Sequence, residues 1–173
     1  DGVDVLINNA GISYRSVIEH MTEEDELLQH QTNYLGPIGL ARLVIPKMRK
    51  HRWGRIINIS SVGGMMAMPT MGSYSASKFA LEGASEALWY ELRPWNIAVS
   101  LIQPGFIDSK SFENVYWTKA GKQSVESGGC YAEYYKHMGC FISSLMSKSL
   151  ASPETIADVV LNVIESKNPP LSV

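Results

Sequence analysis

Cysteine and histidine are scarce in this chain. Its 173 residues include two cysteines, Cys130 and Cys140, and four histidines. Two cysteines without C-x-x-C spacing make no disulfide framework, so we expect reduced thiols and an intracellular, cytoplasmic protein. The histidines show none of the spacings that metal ligands require, and we predict no metal site.

Long apolar runs and an excess of positive charge are also lacking. No apolar run reaches the roughly 20 residues that a membrane-spanning helix needs, so we expect no membrane span. The net charge is −2 and there is no basic stripe, which argues against nucleic acid as a partner. The composition, 45% hydrophobic and 18% charged, is that of a globular protein with a buried core.

Three short segments rich in Ile and Val predict the strands of a sheet. They are Val3–Asn8, Arg55–Ser60 and Ile97–Gln103. Such segments suit strands of a parallel sheet that are buried on both faces. Because helical patterns separate them, we predict an α/β fold, a doubly wound parallel sheet with flanking helices.

Three helices are predicted, over about residues 22–50, 74–92 and 152–166. The first begins at Thr22, a good N-cap, with Asp25 three residues later, and we expect Pro37 to kink it. The third begins with Ser152 as N-cap and Pro153 in the first helical position. Residues 111–150 contain no clean strand, and we predict an irregular helical excursion over a substrate crevice, a lid, within one domain of residues 1–173.

Small and polar residues follow each predicted strand. They are Asn9-Ala10-Gly11, then Ser61, then Pro104-Gly105. Turns alone would explain any one of these groups. In an open α/β sheet, however, ligands bind beyond the carboxyl ends of the strands, which is where all three groups would meet.

Tyr74 and Lys78 lie four residues apart on the second helix and therefore share one helix face. A nearby ammonium group stabilises a phenolate and lowers the pKa of the phenol, which makes it a usable general acid or base. Ser61 precedes Tyr74 by 13 residues, a loop that can bring its hydroxyl beside the phenol. The two hydroxyls could together hold a carbonyl oxygen.

Four motifs in this order resemble the short-chain dehydrogenase/reductase family. They are NNAG at 8–11, NISS at 58–61, YSASK at 74–78 and PGFIDS at 104–109. Asn33 stands where the family has the asparagine of its catalytic set. The resemblance implies a Rossmann-type domain that uses NAD or NADP to interconvert an alcohol and a ketone or aldehyde.

The resemblance also implies roles for individual residues. Tyr74 would pass a proton to or from the substrate oxygen, and Lys78 would lower the pKa of Tyr74 and bind the nicotinamide ribose. Ser61 would orient the carbonyl group. Asn33 would hold a water that links Lys78 to solvent, or alternatively would repair the helix kink. The cofactor contacts implied are Asn9, Ala10 and Gly11 at the adenine-side ribose, and Pro104, Gly105, Ile107 and Ser109 around the nicotinamide.

One departure from the family pattern concerns the glycine-rich turn that cradles the pyrophosphate. We expect it well upstream of Asn8, and nothing in this sequence precedes Asp1. The sequence therefore predicts the C-terminal portion of a Rossmann-type domain without its first strands. We expect this chain alone to bind a nicotinamide cofactor weakly or not at all.

The sequence predicts only the class of substrate and the surface through which copies of the protein would assemble. The methionines at 65, 66, 68 and 71 lie between Ser61 and Tyr74, and they either fill the core or line an adaptable apolar pocket. The second possibility favours a hydrophobic alcohol or carbonyl substrate. By resemblance, the two long helices over about 22–50 and 74–92 would pair across a homo-oligomer interface.

Three alternatives compete with this interpretation. Ser75-Ala76-Ser77-Lys78 fits the S-x-x-K pattern of penicillin-recognising enzymes, but the companion S-D-N and K-T-G motifs are absent. A dehydrogenase-like domain that binds or regulates without catalysis is the second alternative. A sugar-nucleotide epimerase or dehydratase with the same Tyr-x-x-x-Lys pair is the third.

Overall fold

Three parallel strands form the sheet at the centre of the described residues. The computed structural model describes residues 2–107, 114–149 and 151–173. The strands are β1 (Val5–Asn8), β2 (Gly54–Ile59) and β3 (Ile97–Ile102), in the order β1-β2-β3, with Ile57 opposite Ile7 and Ser100. The predicted α/β fold with a parallel sheet is confirmed.

Helices cover both faces of this sheet. Successive side chains of a strand point to opposite faces, so Ile56 packs with residues of α2 (Gly36–His51) and α3 (Gly72–Leu92). Ile57 packs on the other face against α6 (Pro153–Glu165). The predicted burial on both faces fits β2, but Ile7 of β1 is 43% exposed because β1 lies at the edge of the described sheet.

The first predicted helix consists of three parts. It has α1 (Glu23–His30), a π-helical turn (Gln31–Leu35) and α2, and Thr22 caps it by accepting a hydrogen bond from the amide of Asp25. Pro37 has no N–H, so the usual bond from position 37 to residue 33 cannot form. The chain widens just before it, and the amide of Gly36 donates to the carbonyl of Gln31 five residues earlier.

The predicted excursion contains two regular helices, α4 (Lys119–Ser127) and α5 (Ala132–Met146). Hydrogen bonds tie it to the segment after β1: the amide of Arg15 donates to the carbonyl of Tyr116, and the amide of Tyr116 donates to that of Ser13. No helix within residues 2–107, 114–149 and 151–173 is long and apolar enough to cross a membrane.

Candidate active site

A cavity of about 640 Å³ lies at the carboxyl ends of the three strands. The strands run parallel, so the segments that follow them meet at one edge of the sheet. The predicted site residues that line the cavity are Asn9, Gly11, Ser61, Tyr74, Lys78, Pro104, Gly105 and Ile107. Ala10, between Asn9 and Gly11, is exposed. Ser109 lies outside the described residues.

Tyr74 lies in the first turn of α3, against the loop that follows β2. A Cβ atom placed on Gly63 would be 3.1 Å from Cε1 of Tyr74, so glycine at this position makes room for the ring. Burial raises the pKa of the Tyr74 phenol, and a hydrogen bond with Ser61 acts in the opposite direction. In the described geometry burial therefore outweighs this hydrogen bond, and the lowering of the Tyr74 pKa by Lys78 stays a prediction.

Lys78 is buried one turn further along α3. Its Nζ donates to the carbonyl oxygen of Ile59 at 2.8 Å and lies 5.8 Å from the centre of the Tyr74 ring. Burial lowers the pKa of Lys78 to about 8, while the negative charge of Glu82 opposes the change. The ammonium group is thus held near the phenol by a carbonyl at the end of β2.

Asn33 is buried in the π-helical turn and joins two neighbouring segments. Its Nδ2 donates to the carbonyl of Ile12 at 2.8 Å and to Oγ of Ser77 at 3.0 Å, and its Oδ1 accepts from the amide of Ile12 at 2.9 Å. These bonds go to the segment after β1 and to α3, not to the kinked helix. The water-holding role of Asn33 stays a prediction.

The small space beside Gly11 is bordered by hydrogen-bonding groups, which is what a sugar hydroxyl group of a nucleotide would need. A Cβ atom placed on Gly11 would lie 3.4 Å from Oδ1 of Asn33 and 3.7 Å from Nζ of Lys78. A donor and an acceptor therefore face the same small space. Oγ of Ser13 and Oγ of Ser60, which also line the cavity, are buried and have no hydrogen-bond partner among the described residues.

Most of the other side chains that line the cavity are apolar. Those that the sequence analysis did not name include Phe106, Tyr116, Ile142, Met146 and Ile156. Of the four methionines predicted to fill the core or to line a pocket, Met68 and Met71 line the cavity, whereas Met65 and Met66 are 60% and 64% exposed. Ile142 and Met146 belong to α5, so the predicted lid contributes to the wall.

The residues that the structure describes contain no candidate metal-binding site. Within those ranges no three His, Cys, Asp or Glu side chains come together as ligands. Both cysteines are free and exposed.

Comparison with known proteins decides the family. A family model described as short chain dehydrogenase matches residues 1–120, more than half of the chain. This chain belongs to the short-chain dehydrogenase family. Its sheet and flanking helices are accordingly of the Rossmann type, as predicted.

Similar members of the short-chain dehydrogenase family share much of this chain. The 3-ketodihydrosphingosine reductase of Bacteroides thetaiotaomicron is 38% identical over 168 residues, which are 97% of this chain and 61% of that protein. The chain thus spans about three-fifths of the length of this curated relative.

Solved structures with a similar fold also cover most or much of this chain. A short-chain dehydrogenase from Streptomyces avermitilis is 28% identical, with a TM-score of 0.81 over 99% of this chain and 60% of that one. A 4-hydroxyisoleucine dehydrogenase, solved with NADH and succinate, is 35% identical, with a TM-score of 0.59 over 61% of this chain and 50% of that one.

Proposed function

We propose that the protein is an NAD- or NADP-dependent oxidoreductase that interconverts an alcohol and a ketone or aldehyde. The observation that carries the proposal is the meeting of Ser61, Tyr74 and Lys78 on one cavity wall at the carboxyl edge of the sheet. Family membership and the NADH bound to the similar 4-hydroxyisoleucine dehydrogenase support it. A nicotinamide nucleotide bound in this cavity would supply or accept the hydride.

In this proposal Tyr74 moves the proton. An ordinary tyrosine carries its proton at neutral pH, the form that donates to a carbonyl oxygen, and burial of Tyr74 shifts its pKa further in that direction. Ser61, which lines the same cavity as Tyr74, would hold the same oxygen and stabilise negative charge as it develops. The ammonium group of Lys78 would stabilise the phenolate left after proton transfer.

The residues around Gly11 and Pro104 would hold the cofactor. Lys78 and Asn33 offer a donor and an acceptor beside Gly11, where a ribose hydroxyl group fits. Asn9, Ala10 and Gly11 would follow the adenine-side ribose, and Pro104, Gly105 and Ile107 would pack against the nicotinamide. Ser109, outside the described residues, is proposed to bond the carboxamide.

We propose a hydrophobic substrate, since much of the cavity lining is apolar. Phe106 follows β3, Met68 and Met71 precede α3, and Ile142 and Met146 come from α5. Flexible methionine side chains adapt to apolar ligands of varied shape. The 38% identical relative is named as a reductase of 3-ketodihydrosphingosine, and its name agrees with this substrate class. Residues 111–150 would act as the lid.

A homo-oligomer is proposed through the two long helices. Leu40 and Leu43 of α2 are 49% and 76% exposed, and Phe79 and Tyr90 of α3 are 45% and 63% exposed. Large apolar side chains grouped on neighbouring helices mark contact surfaces in proteins.

Two serines provide a test in the full-length protein. With NADH or NADPH and a panel of hydrophobic ketones, Ser61→Ala should lower kcat by about a hundredfold or more, the usual loss when an oxyanion contact is removed. Ser127→Ala removes an exposed hydroxyl group of α4 that does not line the cavity, so turnover should change little. Equal losses in both variants, or no turnover with any ketone despite nucleotide binding, would count against the proposed reaction.

A further inference from the structure

Three buried serines alternate along the first turns of α3, and each contacts a different segment. Oγ of Ser73 accepts from Nε2 of Gln29 at 3.0 Å. Oγ of Ser75 accepts from the amide of Met68 at 3.1 Å, and Oγ of Ser77 accepts from Nδ2 of Asn33. Each of the three is at most 2% exposed. Two of them, Ser73 and Ser77, immediately precede Tyr74 and Lys78.

Gln29, the partner of Ser73, does not line the cavity. It lies on α1 and is 0% exposed. Its Oε1 accepts from the amide of Tyr14 at 2.7 Å, while its Nε2 donates to Ser73. A buried amide group costs free energy unless it is hydrogen-bonded. Both ends of Gln29 are bonded, so one side chain joins α1, the segment after β1 and the start of α3.

Gln29 and Asn33 each donate a hydrogen bond to a serine of α3, so two parallel contacts join the segments. Gln29 and Asn33 are four residues apart, and so are their partners Ser73 and Ser77. Residues at this spacing lie on one helix face, about one turn apart. One hydrogen bond fixes a distance between two helices. Two hydrogen bonds one turn apart also restrict how far one helix slides or rotates against the other. The rotation of α3 sets the direction of the Tyr74 phenol.

We propose that Gln29 is a positioning residue that, through Ser73, orients Tyr74 toward the cavity. This inference rests on the proposed role of Tyr74 in moving the proton. Gln29 acts through its bonds to Ser73 and Tyr14 and leaves the proton transfer itself to Tyr74. Its contribution is to hold the rotation of α3 at the first turn, together with the bonds that the other two buried serines of its first turns accept.

Ser85 provides a matched control for Ser73. It lies on the same helix, is 0% exposed, and its Oγ accepts from Nδ2 of Asn58 at 2.8 Å. Ser73→Ala and Ser85→Ala therefore delete the same group, buried on the same helix and bonded to a side-chain amide. They differ in distance from Tyr74, since Ser85 lies about three turns away.

The test measures Tyr74 directly in the full-length protein. The protein carries tyrosine labelled with carbon-13 at Cζ, and Tyr74→Phe assigns the Tyr74 resonance without any substrate. We expect Gln29→Leu and Ser73→Ala to shift this resonance and to change its titration with pH, and Ser85→Ala to leave both unchanged. Denaturant unfolding of each variant records the loss of stability separately.

Turnover of the best hydrophobic ketone with NADH or NADPH gives the second measurement. We expect kcat to fall by about tenfold to a hundredfold in Gln29→Leu and in Ser73→Ala, the range that misplacement of a catalytic group produces. Because the two changes remove the same contact, the double variant should be no slower than the slower single variant. Ser85→Ala should stay within about twofold of wild type, as no contact near Tyr74 is lost.

The outcomes separate this inference from the proposed function. An unchanged Tyr74 resonance in Ser73→Ala, or the same changes in Ser85→Ala, would overturn the positioning role. Ser73→Ala decides this even where Gln29→Leu does not fold. A shifted resonance together with normal turnover in Tyr74→Phe would uphold the positioning role and refute the function proposed for Tyr74.

Discussion

Replacing Lys78 with methionine should change how the stability of the chain depends on pH. Lys78 is 5% exposed and has a pKa of about 8, whereas an ordinary lysine has 10.5. Below about pH 8 the side chain is protonated in both the folded and the unfolded state, and the folded state bears the full cost of the buried charge. Above that pH the folded chain releases the proton, while the unfolded chain retains it until about pH 10.5.

The size of the effect follows from the same two pKa values. The free energy of unfolding rises with pH wherever the unfolded chain binds more protons. Each pKa unit corresponds to about 1.4 kcal/mol, so the full gain is about 3 kcal/mol, of which about 2 kcal/mol falls between about pH 7 and pH 9.5. The raised pKa of Tyr74 acts in the opposite direction, but only above about pH 10, where an unfolded tyrosine ionises.

Urea unfolding at a series of pH values tests this reasoning. The difference in unfolding free energy between wild type and Lys78→Met should move by about 2 kcal/mol in favour of wild type between about pH 7 and pH 9.5. Lys122→Met, which removes an exposed lysine of α4, controls for the loss of one positive charge. A pH-independent difference for Lys78→Met, or the same change in Lys122→Met, would refute the account of the buried ammonium group.

Two further substitutions test the cofactor space and the cap of α6. Gly11→Ala should weaken the binding of NADH or NADPH to the full-length protein, because the added methyl group would lie 3.7 Å from Nζ of Lys78. Titration calorimetry measures this affinity, and an unchanged value would mean that the ribose binds elsewhere. Ser152→Ala should cost about 1 kcal/mol of unfolding free energy, because Oγ of Ser152 accepts from the amide of Thr155 at 3.3 Å. Thermal unfolding checks this second expectation, and an unchanged midpoint would mean that water replaces the cap.

The positions of the strands and helices were predictable because their signals are local. Strand composition and N-caps such as Thr22 and Ser152 depend on neighbouring residues, and each lies within a few residues of its predicted place. The meeting of Ser61, Tyr74 and Lys78 followed from one rule of topology, that parallel strands deliver their ends to one edge. These features need no knowledge of how two helices pack.

Features that depend on three-dimensional packing could not be predicted from the sequence. Gln29 looks like an ordinary polar residue of a surface helix, and only the packing of α1 on α3 brings it to Ser73, 44 residues away. The burial of Tyr74, which raises the pKa of its phenol, is also a result of packing that a motif does not show. The exposure of Ile7 depends likewise on which strands flank β1.

The central claim is that Tyr74 moves the proton in an oxidoreductase reaction. The most direct measurement compares Tyr74→Phe with wild type in the full-length protein, with turnover of a hydrophobic ketone and nucleotide affinity measured on the same samples. We predict that kcat falls by about a hundredfold to ten-thousandfold, the contribution of a general acid, while the affinity for NADH or NADPH stays the same. Turnover within a few-fold of wild type would contradict the account.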